Sequence, residues 1–258
     1  MFRRATHRTF LLGVLILGLA ACSEPAVEQT DLTLAAAASL RQVIPAALEG
    51  FALAAGERSI DVTYGASGDL RRQVEAGAPI DLVVLASAET VDALIDNGLA
   101  DPASRRVVAS NRLALVGPSA SPPLTFATLN RLPGDARLAV GDPRTVPAGQ
   151  YARQALENLG SWNHLEDRLV FGGHVASVLA YVRRGEVDAA IVYETDAEGL
   201  ADIAVWEVAK GDWAPDPQVV AAVTDSDSPD AQLLLDYLTS ARGQEIFFSF
   251  GFDPPTNP

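Results

Sequence analysis

The chain holds a single cysteine, Cys22, so no disulfide can form within it. It has three histidines, His7, His164 and His174, and none of them stands with Cys or carboxylates at metal-ligand spacing. A dedicated cation site is therefore not expected. Basic residues are scarce, 19 Lys and Arg against 33 Asp and Glu. That balance argues against nucleic acid, whose phosphates favour basic patches. The apolar run from Phe10 to Ala21 falls short of the roughly 20 residues needed to span a bilayer. No internal repeat or low-complexity tract interrupts the sequence from residue 32 onward.

The chain opens MFRRATHRTFLLGVLILGLAACSEP. Arg3, Arg4 and Arg8 precede the short apolar run, in the proportions of a secretory signal peptide over residues 1–21. Leu19-Ala20-Ala21-Cys22 resembles a bacterial lipobox, in which Cys22 is lipidated and becomes the new N-terminus. Ordinary cleavage near Ala21 is the alternative, but Leu at the third position before the cut suits a lipobox better than the A-x-A pattern. Residues 22–31 then form a polar tether. Loss of residues 1–21 leaves 237 residues with 16 basic and 33 acidic side chains, a net charge of −17. Such a field gives an anionic ligand no long-range attraction.

From Leu32 the chain alternates strand-like and helix-like segments. DLTLAAAAS reads as a strand, and Leu40, Val43, Ile44, Ala47, Leu48 and Phe51 follow at helical spacing, with Ser39 where an N-cap belongs and Pro45 as an awkward interior residue. SIDVTYGAS, IDLVVLAS, RLAVGDP, RLVFGG, VDAAIVYE and PQVVAAVT read as further strands. DLRRQVEAG, ETVDALIDNG, GQYARQALENLG and VASVLAYVRRG read as helices, several closed by glycine, and Ser228-Pro229 opens DAQLLLDYLTS as the last. The alternation predicts βαβ units and mostly parallel sheets. The strands are too numerous for one small sheet. Two α/β lobes are expected, with crossovers near Ser110–Leu113 and Pro217–Val219: residues 32–111 plus 219–258 form the first lobe and 112–218 the second.

In open α/β sheets ligands bind beyond the carboxyl ends of the strands. Four such ends run into helix starts: Ala38-Ser39, Ala66-Ser67-Gly68, Pro147-Ala148-Gly149 and His174-Val175-Ala176. A helix start offers backbone N–H groups without partners and the positive end of a dipole, a combination suited to an anion. Each residue taken singly has a plainer reading: Ser39 and Ser67 as N-caps, Tyr193 as a packing residue, Ala148 and Val175 with no signal of their own, and His174 as a solvent-facing loop residue. Asp69, Asp142, Glu194 and Asp196 read as turn or surface carboxylates, since an ionised carboxylate in such a pocket would repel the anion.

AAAASL, GASGDLRRQVEAGAPIDLVV, RLAVGDPRTVPAGQYARQALENLG, GEVDAAIVYETDA and GQEIFFSFGF stand in the order found in periplasmic molybdate-binding proteins of ABC transporters, which the chain resembles from Leu32 to Phe252. The resemblance implies a type II periplasmic binding fold, two lobes closing over a tetrahedral dianion. It also implies delivery to a transporter permease, a monomer on the periplasmic side, contact with the membrane only through a lipid anchor, and no cofactor or catalysis. Carried over residue by residue, it assigns the oxyanion to Ser39, Ser67, Ala148, Val175 and Tyr193. Ser39, Ser67 and Tyr193 would offer hydroxyls; Ala148 and Val175 offer only backbone N–H. Many relatives are serine-rich where this chain reads Gly65-Ala66-Ser67-Gly68, and His174 departs from the family pattern.

A donor-only site favours a fully deprotonated ion, so molybdate, tungstate and sulfate fit, while the proton of hydrogen phosphate would find no acceptor, at a cost of about 1–3 kcal/mol. Sulfate is smaller than molybdate, and tungstate matches it. The alternative ligand is another small anion such as sulfate or thiosulfate. An organic acid would require an arginine, and Arg71, Arg72 and Arg144 lie close enough in sequence to keep it open. A serine hydrolase built on Ser67 and a histidine is the enzymatic alternative; Gly65-Ala66-Ser67-Gly68-Asp69 lacks the last glycine of G-x-S-x-G.

Overall fold

The structure is a computed structural model that describes residues 32–224 and 228–255. The expected signal peptide, Cys22 and the tether lie outside the described residues. The chain begins with β1 (Leu32–Ala37), a 3-10 turn (Ala38–Leu40), α1 (Val43–Ala55), β2 (Ile60–Gly65), α2 (Ser67–Glu75), β3 (Leu82–Leu85), α3 (Ala88–Asp96) and β4 (Arg106–Ser110). Asn111 and Arg112 lead into β5 (Leu113–Pro118), β6 (Leu138–Gly141), α4 (Pro147–Asn158), α5 (Trp162–Leu165), β7 (Leu169–Gly172), α6 (Val175–Arg183), β8 (Ala189–Tyr193), α7 (Glu194–Ala197) and β9 (Ile203–Val208). The chain then returns through β10 (Gln218–Val223) to α8 (Pro229–Thr239) and α9 (Ala241–Ser249).

Two five-stranded sheets result, ordered β2-β1-β3-β10-β4 and β7-β6-β8-β5-β9. Each has one reversed strand in the fourth position: β10 runs antiparallel to β3 and β4, and β5 antiparallel to β8 and β9. The other pairs are parallel. The reversed strand is in each case the one that has just crossed from the other sheet, so the two sheets repeat one topology with exchanged strands. No helix among the described residues is long and apolar enough to cross a membrane.

Composition sets each strand's place. LVVL in β3 and AAIVY in β8 are buried throughout, as strands covered by helices on both faces should be. IDVTYG in β2 alternates exposed with half-buried positions, the pattern of an edge. Alanine dominates the carboxyl half of β1, and these small side chains let the turn after it lie close to the sheet.

Four local features depart from the expectation. Ser39 is not an N-cap: it sits inside the 3-10 turn, and α1 starts at Val43. Pro45 is thereby a first-turn residue, where its missing N–H has no partner to lose. Ser67 is likewise the first helical residue, after an Ala66 N-cap. DAQLLLDYLTS is not the last helix, because Ser240 accepts from the Gly243 N–H and caps α9.

The two sheets meet at the crossovers. Ser110 and Asp253 exchange backbone hydrogen bonds of 3.0 and 2.9 Å. The Arg112 guanidinium lies 2.9 Å from Glu194 and 3.1 Å from Asp253, tying the start of α7 to the C-terminal segment.

Candidate functional site

The helix starts expected from sequence converge on one cavity. It is small, about 20 Å³, and lies between the carboxyl ends of the two sheets. Ser39, Ser67, Ala148, Val175 and Tyr193 all line it, with His174.

Local sequence aims each group. At Gly141-Asp142-Pro143-Arg144-Thr145-Val146-Pro147-Ala148-Gly149 the chain leaves β6 and turns straight into α4. Pro147 takes the first helical position, where its fixed φ is favourable and its lack of N–H harmless. A Cβ on Gly149 would collide with the Gly141 carbonyl, and one on Gly141 would come within 2.6 Å of Val146 Cγ1. The two glycines thus let α4 press its first turn against the end of β6. Among the described residues the Ala148 N–H has no acceptor, although Ala148 is only 1% exposed. A buried donor without a protein partner is costly, so this one is available to an acceptor in the cavity.

Val175, the first residue of α6, presents a second N–H with no acceptor among the described residues. His174 does more than face solvent. Its Nδ1 accepts the Ser177 N–H at 3.1 Å while Ser177 Oγ accepts the His174 N–H at 3.3 Å. This reciprocal cap fixes the first turn of α6. The His-x-x-Ser spacing was the sequence signal for it.

The hydroxyls differ from one another. Ser67 Oγ accepts the Ala86 N–H at 3.2 Å, and its proton has no acceptor among the described residues. Ser39 Oγ has no partner there at all. The Tyr193 hydroxyl donates to the Ala86 carbonyl at 3.3 Å, across from the second sheet to the first. Burial pushes this phenol well above its ordinary pKa, so it stays protonated and a donor. A second hydrogen bond across the cleft runs from the Gly68 N–H to the Thr145 carbonyl at 3.3 Å. The two lobes therefore touch on both flanks of the cavity.

Charged side chains stay out. Arg71 pairs with Glu75 at 3.4 Å, Arg72 with Asp69, and Arg144 with Asp142 at 2.6 Å. None of these arginines lines the cavity, which removes the arginine that an organic acid would require. Asp196 is the carboxylate that departs from the surface reading: it is half-buried, accepts the Tyr193 N–H at 3.3 Å, and burial pushes its pKa up to about 7. Ser67 and His174 have their hydrogen-bond partners on the backbone rather than on each other. Among the described residues no group of three or more His, Cys, Asp or Glu could hold a metal ion.

Two α/β lobes joined by crossing strands, with a donor-lined cleft between them, define a two-lobed binding protein. The sequence from 32 to 253 matches the model of the bacterial extracellular solute-binding proteins, and the chain belongs to that family, whose members bind solutes rather than transform them. It is 33% identical over 246 residues to the molybdate-binding protein ModA of Escherichia coli K12, covering 92% of this chain and 94% of that one. In fold it is similar to the periplasmic molybdate-binding protein of Azotobacter vinelandii, with a TM-score of 0.78, 20% identity and coverage of 87% and 100%. It is also similar to the sulfate-binding protein SubI of Mycobacterium tuberculosis H37Rv, with a TM-score of 0.73, 19% identity and coverage of 89% and 88%. The fold alone thus does not select the anion.

Proposed function

We propose that this protein captures molybdate on the periplasmic side of the membrane and delivers it to an ABC transporter. The observation that carries this reading is a set of donors with no acceptor among the described residues, the Ala148 and Val175 N–H groups and the hydroxyl protons of Ser39 and Ser67. The identity with the Escherichia coli molybdate-binding protein supports the choice of anion.

In this reading Ser39, Ser67, Ala148, Val175 and Tyr193 hold the four oxygens through neutral hydrogens alone. Tyr193 must divide its single proton between the ion and the Ala86 carbonyl, and is the weakest of the five. Tungstate, equal in size and charge, binds about as well. Residues 32–111 with 219–258 and residues 112–218 act as lobes that hinge about the two crossovers. Closure removes water and strengthens each donor. Cys22 carries the lipid anchor, and the protein works as a monomer.

Sulfate is the second reading, supported by the sulfate-binding neighbour of nearly equal structural similarity. Calorimetric titration with molybdate, tungstate, sulfate and phosphate separates the two. Molybdate and tungstate should bind together and tightest, sulfate weaker, and phosphate not measurably. Sulfate binding tightest would replace the first reading with the second.

A further inference from the structure

A larger cavity, about 460 Å³, opens beside the cleft and shares Ser39, Ala66, His174 and Val175 with it. It thus borders the starts of the 3-10 turn, α2 and α6. Its lining includes two arginines, Arg41 and Arg183, two carboxyl groups, Asp69 and Asp196, and His174. Asp69 is neutralised by Arg72, and Arg183 is held by Asp202 through bonds of 2.8 and 3.1 Å. Arg41 is different. It is exposed and has no carboxylate partner among the described residues, and its guanidinium lies 4.5 Å from the centre of the Tyr64 ring, which also lines the cavity. The ring holds the guanidinium in place without cancelling its charge.

A net charge of −14, or −17 once residues 1–21 are lost, should slow the approach of a dianion at low ionic strength. Of the two arginines lining this cavity, Arg41 is the one without a carboxylate partner among the described residues, and in a cleft with low-dielectric walls its charge acts where that repulsion matters most. We infer that Arg41 is the capture residue of this protein: it forms an outer encounter site for the incoming dianion, which then passes inward to the neutral donors and leaves the guanidinium behind. This rests on the reading that the cleft takes a tetrahedral dianion. Arg41 is absent from the lining of the inner cavity, so it acts on entry and not on retention.

Stopped-flow fluorescence with molybdate tests this on the full chain, alongside calorimetry. Arg41→Gln should lower the association rate about three- to five-fold at low ionic strength, and Arg41→Glu about ten-fold or more, with the dissociation rate unchanged. Arg41→Lys should restore the association rate, and about 0.5 M salt should erase all differences. Arg137, exposed at the far end of β6, supplies the control: Arg137→Gln should leave the association rate nearly unaltered although it removes the same charge. A faster dissociation rate in Arg41→Gln, or an unchanged association rate, would overturn the inference while molybdate still bound. Failure of the unaltered protein to bind molybdate would overturn the reading beneath it and this inference with it.

Discussion

The two lobes present the same topological feature to the cleft with different chemistry. In the first, a 3-10 turn and α2 bring Ser39 and Ser67, each with a hydroxyl beside its backbone N–H. In the second, α4 and α6 bring Ala148 and Val175, with nothing but backbone. The comparison teaches that the position after a β-strand, not the side chain, makes the donor. A helix start has unpaired N–H groups whatever residue other than proline stands there. The hydroxyls of the first lobe are additions to that plan, and the second lobe adds the Tyr193 hydroxyl from β8 to the cavity lining.

Val175→Pro removes one of the second lobe's backbone donors and should have the largest effect. Proline is favoured at a first helical position, and His174 before it is already extended, so α6 should survive while its leading N–H is lost. Molybdate affinity should fall roughly ten- to a hundred-fold, since a hydrogen bond to a charged group contributes about 1.5–3 kcal/mol. Val175→Ala should cost far less. Equal losses in a calorimetric titration would give the role to the side chain.

The next contrast lies within the first lobe. Ser67→Ala removes a proposed ligand donor and also strands the buried Ala86 N–H, so affinity and ligand-free stability should both fall, the latter by about 1–3 kcal/mol in a denaturant melt. Ser39→Ala removes a hydroxyl that bonds nothing among the described residues, so affinity should fall several-fold with the melt unchanged. Equal stability losses would contradict the assigned bonds.

Gly68→Ala tests the contact between lobes. Its Cβ would lie 3.0 Å from the Thr145 carbonyl oxygen, so closure should be hindered and affinity reduced a few-fold, with a more open liganded form in small-angle scattering. An unchanged affinity would mean that closure does not bring these segments together.

The smallest expected effect is on pH. The Asp196 carboxyl stands near 7 in the fold, above its value in the unfolded chain. Its protonated form is therefore favoured by folding: that stabilisation is complete below about pH 4 and is lost as pH rises through about 7. Ionisation also adds a negative charge beside the entry cavity. Molybdate affinity should decline about two- to three-fold between pH 6 and 8.5, and Asp196→Asn, which keeps an acceptor for the Tyr193 N–H, should flatten the curve. A steep dependence surviving in that variant would place the titrating group elsewhere.

Most of this arrangement was legible in the chain. Apolar runs such as LVVL and the glycines closing α2, α3 and α6 mark the elements, and the order of strand ends marks the four helix starts. Three features were not legible. Ser39 looks like a cap because the apolar spacing of α1 extends one turn upstream into what folds as a 3-10 turn. The reach of the Tyr193 hydroxyl to the Ala86 carbonyl joins residues 107 apart and is a property of two lobes in contact. Asp196 reads as a surface carboxylate because nothing in ETDA signals burial, which comes from the packing of α7 against β8 and β9.

The most direct measurement is a crystal structure with tungstate bound, located by its anomalous scattering. The ion should lie within hydrogen-bond distance of the Ala148 and Val175 N–H groups and of the Ser39 and Ser67 hydroxyls, with no arginine or cation touching it. An ion held by Arg41, or by any other charged group, would contradict the claim that neutral donors from both lobes suffice.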